Sequence, residues 1–148
     1  MTIEDDVALF ERVPTLRLLG REALRNLAFG SEQRDVARGE TLFRAGDTAD
    51  AGFIVQSGSF RVSADDSKKN EIIAGPGSLI GELALLVPMQ RPSTATALEF
   101  STTIRISRSL FGRVLDGHPD AARRLRDDLA GRTSQAASDI VLVGAKLS

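Results

Sequence analysis

The chain has 148 residues, of which 42% are hydrophobic and 26% are charged, and its 19 basic residues nearly balance its 20 acidic ones. These values are typical of one soluble globular domain, and they exclude a disordered chain, a collagen-like repeat and a charge-driven polyanion binder. DNA-binding domains usually carry a basic excess on one face or one helix. The net charge of −1 gives no such excess, and we expect no DNA-binding domain in this chain.

Missing residue types exclude several kinds of catalytic and metal site. The chain has no cysteine, which excludes disulfides, thiolate zinc sites and cysteine nucleophiles. Its only histidine, His118, cannot form a clustered-histidine metal centre. We also find no Walker loop, paired acid or nucleophile elbow. The sequence therefore predicts neither an enzyme nor a metal or organic cofactor.

The sequence predicts neither a secretory signal nor a membrane span. Its first six residues, MTIEDD, are acidic where a signal peptide would be basic and then apolar. The longest aliphatic run, residues 140–143, is far shorter than the roughly 20 residues that a membrane span needs. We expect a cytoplasmic protein.

Residues 1–30 predict helices. Apolar residues recur at spacings of three and four in segments 4–10 and 22–29, as they do on one face of a helix. Pro14 and Gly20 divide this stretch into short pieces.

Residues 31–107 predict a β roll. Short apolar segments bounded by turn residues follow one another at the spacing typical of sandwiches and barrels. These segments are residues 41–43, 53–55, 60–62 and 71–73. Residues 56–59 predict a tight hairpin turn, because Gly58 can adopt a positive φ. Strand character resumes over residues 94–106, after a short helix-competent piece that Pro88 ends.

Residues 108–143 predict two C-terminal helices. Ser107 or Ser109 would cap the first helix, and Pro119 would open the second. The second helix carries an apolar stripe formed by Ala121, Leu125, Leu129, Thr133, Ala136, Ala137, Ile140 and Val143. Two interpretations stay open, and both can hold: the stripe packs against its own domain, or it forms a helix–helix seam in a homodimer.

Segment 77–97 carries the residues whose chemistry indicates a binding site. Gly81 lets the backbone approach a ligand at the mouth of a short helix, where unpaired N–H groups favour an anion. The carboxylate of Glu82 beside that mouth suits the hydroxyl of a sugar. Arg91, nine residues later, supplies a planar guanidinium suited to a phosphate. Together these groups predict a nucleotide site.

The chain resembles the cyclic nucleotide-binding domains of catabolite activator proteins, kinase regulatory subunits and cyclic-nucleotide-gated channels. The resemblance covers about residues 24–129, and its marks are RGETLFRAGD at 38–47, QSG at 56–58, and IGELAL at 80–85 followed by Arg91. It implies a mainly β fold with flanking helices, namely a jelly-roll-like β barrel with N-terminal helices and a long C-terminal helix. The single domain 1–148 would comprise helices at 1–30, a β roll at 31–107 with a phosphate cassette at 77–97, and helices at 108–143.

The resemblance also implies a function and a role for each site residue. Glu82 would accept a hydrogen bond from the ribose 2′-hydroxyl, the amides of Leu83 and Ala84 would face the phosphate, and Arg91 would bind the exocyclic oxygens. The implied ligand-binding set is Gly81, Glu82, Leu83, Ala84, Arg91, Pro92 and Ser93. The protein would be a non-enzymatic regulatory sensor of a cyclic nucleotide.

Pro92 departs from the family pattern. Relatives place a small residue after the arginine, and its backbone N–H also donates to the phosphate, whereas proline has no N–H. The loss of one charge-assisted donor would cost ~1.5–3 kcal/mol, although the Ser93 hydroxyl could compensate. Relatives that prefer cGMP often carry a hydroxyl at position 92, so we expect cAMP to be favoured.

Two alternatives to the sensor remain open. The chain could be a ligand-free version of the fold that acts as a dimerising or protein-interaction module, or a regulatory fragment of a larger transcription regulator. We also expect a homodimer through the last helix, with Leu129, Ala136, Ile140 and Val143 near the partner.

Overall fold

Three helices open the chain in the computed structural model, which describes residues 2–64 and 71–131. They are α1 (Ile3–Phe10), α2 (Pro14–Arg17) and α3 (Arg21–Gly30). The Thr2 side chain caps α1 by accepting from the Asp5 amide. Pro14 is the first residue of α2, and Gly20 precedes α3 with a φ of +83°. The helices predicted from apolar spacing over residues 4–10 and 22–29 are confirmed.

Ten strands follow in the described residues 32–64 and 71–107. They are β1 (Glu32–Val36), β2 (Thr41–Phe43), β3 (Thr48–Ala49), β4 (Ala51–Ser57), β5 (Phe60–Ser63), β6 (Glu71–Ala74), β7 (Leu79–Ile80), β8 (Met89–Gln90), β9 (Thr94–Ala97) and β10 (Ser101–Ser107). The apolar segments predicted as strands all lie within this set. The sequence did not reveal β1, β3, β7 and β8, which are short or largely polar.

The strands form two four-stranded antiparallel sheets, ordered β1-β10-β4-β7 and β2-β9-β5-β6, while β3 pairs with β8. This arrangement, with helices at both ends of the strand region, confirms a mainly β, jelly-roll-like fold with flanking helices.

The hairpin predicted at residues 56–59 is wrong. Gly58 does have a φ of +89°, but β4 lies in one sheet and β5 in the other. The chain turns here past β10, and a Cβ on Gly58 would lie 2.0 Å from the Ser101 Oγ. A tight turn therefore joins two sheets instead of two paired strands.

Strand β4 divides the interior into two apolar clusters. Its Ile54 belongs to a helix-side cluster, which includes Phe10, Leu16, Leu24, Leu27, Ile104, Ile106 and Phe111. Its Phe53 and Val55 belong to a sheet-side cluster, which includes Val36, Leu42, Phe43, Phe60, Ile80 and Ala95. The alternation follows from strand geometry, because successive side chains point to opposite faces.

Within the described residues, two helices follow the last strand. Ser107 caps α4 (Arg108–Gly117) by accepting from the Leu110 amide at 3.0 Å, and a second helix, α5, occupies residues 119–131. Ala121 and Leu125 are buried in the helix-side cluster, and Leu129 packs against it. This half of the predicted stripe therefore packs against its own domain. The stripe residues Thr133, Ala136, Ala137, Ile140 and Val143 lie outside the described residues.

Candidate functional site

The largely apolar cavity of about 380 Å³ is lined by all seven residues of the implied ligand-binding set. They are Gly81, Glu82, Leu83, Ala84, Arg91, Pro92 and Ser93. The volume lies within the roughly 300–1,000 Å³ common for small-molecule sites. The fold thus brings both ends of the predicted cassette to one place.

Gly81 opens a 3₁₀ helix, Glu82–Leu85, at one side of the cavity. Its φ of +80° and ψ of +35° are left-handed, a conformation that residues with a Cβ rarely adopt. A Cβ at this position would lie only 2.5 Å from Nη1 of Arg91. Glycine is therefore required twice here, for the turn and for the space that the guanidinium occupies.

The amides predicted to face a phosphate differ in their surroundings. The Ala84 N–H donates to the Gly81 carbonyl at 3.1 Å and closes the first turn of the 3₁₀ helix. The Ala84 side chain is buried, whereas that of Leu83 is 55% exposed at the cavity. The phosphate roles of both amides stay predictions.

The Arg91 guanidinium is held by backbone and aromatic contacts. Its Nη2 donates to the Ala51 carbonyl at 2.7 Å. Its central carbon lies 4.1 Å from the centroid of the Phe43 ring and 5.6 Å from that of Phe53. These contacts fix the direction of a side chain that is otherwise flexible.

Arg91 is also a buried charge, with only 6% of the residue exposed. Burial lowers the pKa of Arg91, and the nearby charge of Asp50 partly offsets this effect. Across residues 2–64 and 71–131, no carboxylate forms an ion pair with it. Arginine stays protonated in proteins, and a buried cation without a counter-ion is costly. An anion entering this cavity would therefore gain a desolvated, pre-positioned partner.

Glu82 lines the cavity and also contacts the N-terminal helices. Its Oε1 accepts a hydrogen bond of 2.6 Å from the Thr15 hydroxyl. Thr15 lies in α2 and is only 4% exposed. Sequence reasoning missed Thr15 because 67 residues separate the two partners.

Pro92 and Ser93 complete the cavity on the side of Arg91. Pro92 is exposed and Ser93 is partly buried. Ser93 thus borders the cavity next to the position where proline supplies no N–H. Its compensating role stays a prediction.

The rest of the wall is largely apolar and was not in the predicted ligand-binding set. It is formed by Phe43, Val62, Ile72, Ile73 and Ala74, and by the cassette residues Ser78, Leu79, Ile80 and Met89. Ile72 and Ile73 are 67% and 57% exposed, which is unusual for such large aliphatic side chains. Only the folded structure shows this exposure beside the cavity.

Two arginines hold the backbone of the cassette from outside the cavity. Arg108, the first residue of α4, directs Nη1 at the carbonyls of Ala49, Ala84 and Val87, at 3.0, 3.2 and 3.1 Å. Arg12, between α1 and α2, donates from Nη2 to the Pro76 carbonyl at 3.3 Å. The cassette region is thus held by α4 on one side and by the segment between α1 and α2 on the other.

Sequence comparisons match most of the chain to known proteins. The family described as "Cyclic nucleotide-binding domain" matches residues 33–118. The chain is 32% identical over 120 residues to the HTH-type transcriptional regulator Cmr of Mycobacterium tuberculosis, covering 80% of this chain and 49% of that protein. It is 36% identical over 97 residues to the cAMP-dependent protein kinase regulatory subunit of Eremothecium gossypii, covering 66% and 21%. The chain therefore spans half or less of the length of these relatives.

A solved structure supports the fold over most of the chain. The N-terminal domain of a transcriptional regulator from Streptomyces coelicolor A3(2) matches with a TM-score of 0.81 at 28% identity. The match covers 89% of this chain and 94% of that domain. In the part of the chain that the structure describes, no helix is both long and apolar enough to cross a membrane.

Proposed function

Because the chain belongs to the cyclic nucleotide-binding domain family, we propose that it is a non-enzymatic, cytoplasmic sensor domain that binds a cyclic nucleotide, with cAMP favoured over cGMP. The Glu82 carboxylate accepts from the ribose 2′-hydroxyl, and Arg91 binds the exocyclic phosphate oxygens. The apolar wall contacts the base.

The single observation that carries this proposal is the buried Arg91. Its guanidinium lies against an apolar cavity, is held by the Ala51 carbonyl and the Phe43 ring, and has no ion-pair partner among the described residues. A phosphate supplies the missing negative charge, and charge-assisted bonds to a planar guanidinium are among the stronger polar contacts.

Base preference follows from position 92. Pro92 offers no hydroxyl there, and the apolar wall provides few polar groups for a guanine edge. This favours the more apolar adenine and supports cAMP as the preferred ligand.

Calorimetric titration with cAMP, cGMP and linear 5′-AMP tests the proposal. We expect cAMP to bind the wild type best, because a cyclic phosphate fits a compact cavity. Arg91→Lys should weaken cAMP by about tenfold to a hundredfold, since lysine lacks the bidentate fork. Arg38→Lys, at an exposed arginine outside the cavity, is the matched control and should leave the affinity unchanged.

Two results would contradict the proposal at different levels. Equal cAMP affinity in wild type and Arg91→Lys would remove Arg91 from the site. No stabilisation or binding by any cyclic nucleotide at millimolar concentration would remove the sensor function altogether, because tight ligands raise stability by mass action.

One observation favours a second candidate, a ligand-free interaction module. Pro92 lacks a donor, and the Ala84 amide already donates to Gly81, so two of the implied phosphate contacts are not offered in this conformation. The same titration separates the candidates, since an interaction module would ignore every cyclic nucleotide.

We also propose a homodimer formed through the C-terminal residues of the predicted stripe. Leu129 packs within its own domain, so the proposal rests on Ala136, Ile140 and Val143. Ile140→Glu would place an unpaired charge at such an interface and should give monomers in sedimentation. A monomeric wild type would end the dimer proposal.

A further inference from the structure

We infer that Thr15 is a positioning residue for the Glu82 carboxylate, so that the N-terminal helices control how the cavity recognises a ribose hydroxyl. The inference rests on the proposed function, because it assigns Glu82 to a ribose. Thr15 itself does not line the cavity.

The Thr15 contact is short and partly buried. Its hydroxyl donates to Oε1 of Glu82 at 2.6 Å, within the range of charge-assisted O–H···O⁻ bonds. Thr15 is 4% exposed, so solvent screens the contact weakly. A buried threonine has two staggered preferences at most for its side chain, which makes it a rigid donor.

A second contact holds the same helical segment against the cassette. Arg12, three residues before Thr15, donates to the Pro76 carbonyl. A Cβ on Gly77 would lie 2.9 Å from the Arg12 guanidinium carbon, so the two segments are in close contact. Segment 12–15 therefore contacts the cassette region at two places, namely at residues 76–77 and at the Glu82 carboxylate.

The Thr15 contact restricts the position of the Glu82 carboxylate without by itself occupying all of its acceptor sites. A carboxylate has about four acceptor sites, so the hydrogen bond from Thr15 does not by itself prevent Glu82 from accepting from a ligand hydroxyl. Glu82 has several rotatable bonds, and a site must hold such a group within about 0.5 Å of the productive position. Thr15 supplies this restraint from outside the cavity.

The test compares cAMP with 2′-deoxy-cAMP on the 148-residue chain by calorimetry. Thr15→Val keeps the shape of the side chain and removes the hydroxyl. We expect about tenfold weaker binding of cAMP and less than a twofold change for 2′-deoxy-cAMP. Thr15→Ser keeps the hydroxyl and should bind cAMP within about twofold of the wild type.

A double-mutant cycle separates positioning from general packing. In a Glu82→Gln background, which should itself lose the preference for cAMP over the deoxy analogue, Thr15→Val should have no further effect. Arg12→Met loosens the same segment without touching Glu82, and it should change both ligands equally. Thermal unfolding of each variant checks that the protein is folded.

The outcomes distinguish this inference from the proposed function. If the wild type binds no cyclic nucleotide, the proposed function fails and the inference with it. If the wild type binds cAMP, but Thr15→Val weakens both ligands equally, tightens cAMP or changes nothing, the inference alone is overturned. Selective loss of cAMP with rescue by serine supports it.

Discussion

The helix-side and sheet-side clusters differ in what lies beside them. In the helix-side cluster, Phe10, Leu16, Leu24 and Leu27 are fully buried. The sheet-side cluster packs Phe43 and Phe53 against the buried guanidinium of Arg91, beside a cavity of about 380 Å³. The sheet-side cluster therefore borders a buried charge and a cavity.

This difference indicates that one cluster mainly stabilises the fold and that the other borders the groups that would recognise a ligand. Filled apolar packing stabilises the fold, whereas a desolvated cation beside a cavity opposes folding and is useful only toward an anion. Strand β4 contributes to both, with Ile54 on one face and Phe53 on the other. Substitutions on opposite faces of one strand region should therefore have different consequences.

The largest effect is expected from Phe10→Ala in the helix-side cluster. Phe10 has no exposed surface, and truncation of a buried phenylalanine costs about 3–5 kcal/mol. Urea denaturation should show this loss, while the cAMP affinity of the folded fraction stays within about twofold. A selective loss of affinity at unchanged stability would break the comparison.

Gly81→Ala should act on the other interior. The new Cβ would displace the Arg91 guanidinium, and cAMP affinity should fall about tenfold to a hundredfold in calorimetry. Gly39→Ala is the matched control, because Gly39 has a φ of +85° and open space around its Cβ position. Both variants should lose roughly 1–2 kcal/mol of stability from backbone strain, and only Gly81→Ala should lose affinity. Equal affinities in the two variants would contradict the role given to Arg91.

Sequence patterns predicted most of the fold because local periodicity follows burial. Helices α1 and α3 each bury one face, so their apolar spacing was visible. Strand β1 was missed because only Val36 of its five residues is buried, and pairing with β10 makes it a strand. The Gly58 turn was misassigned because turn chemistry does not specify which strands pair.

The candidate site was predictable in its members and not in its restraints. Gly81, Glu82 and Arg91 were found because their chemistry and spacing resemble a known cassette. The depth of Arg91 and the bond from Thr15 to Glu82 depend on segments that are remote in sequence. Only the folded chain brings those segments together.

Pro92→Ala should have a smaller effect, in the direction of tighter binding. The change restores a backbone N–H beside the cavity, and we expect cAMP affinity to rise by roughly tenfold. Removal of proline also frees the unfolded chain, which lowers stability by up to ~1 kcal/mol. Calorimetry and denaturation must therefore be run separately. Unchanged affinity would show that position 92 does not face the phosphate.

The smallest effect is expected at Asp6 in α1, a polar group at the edge of the helix-side cluster. Its Oδ1 is buried without a hydrogen-bond partner among the described residues, and burial raises the pKa of Asp6. A raised folded-state pKa means that the charged form opposes folding, so this cost is present at neutral pH and vanishes below the unfolded value of 3.8. Asp6→Asn should stabilise the protein at pH 7 by roughly 0.5 kcal/mol or less, since solvent screens the group.

The control for Asp6 is its neighbour Asp5. The hydrogen bond from the Thr2 backbone holds the pKa of Asp5 below its usual value, so its charge favours folding at neutral pH. Asp5→Asn should therefore lower the melting temperature at pH 7, whereas Asp6→Asn should raise it and lose that gain near pH 3. Shifts of the same sign at pH 7 would contradict this assignment.

The hydrogen bonds of Arg108 make substitution easier at the acceptor positions than at the donor. Its three acceptors are main-chain carbonyls of Ala49, Ala84 and Val87, which every amino acid supplies. Side chains at those positions can vary without removing an acceptor, provided the backbone keeps its course. The donor, by contrast, is a single side-chain nitrogen, Nη1 of Arg108. These three hydrogen bonds therefore depend on the one residue Arg108, although their acceptors lie in β3 and in the segment from Ala84 to Val87.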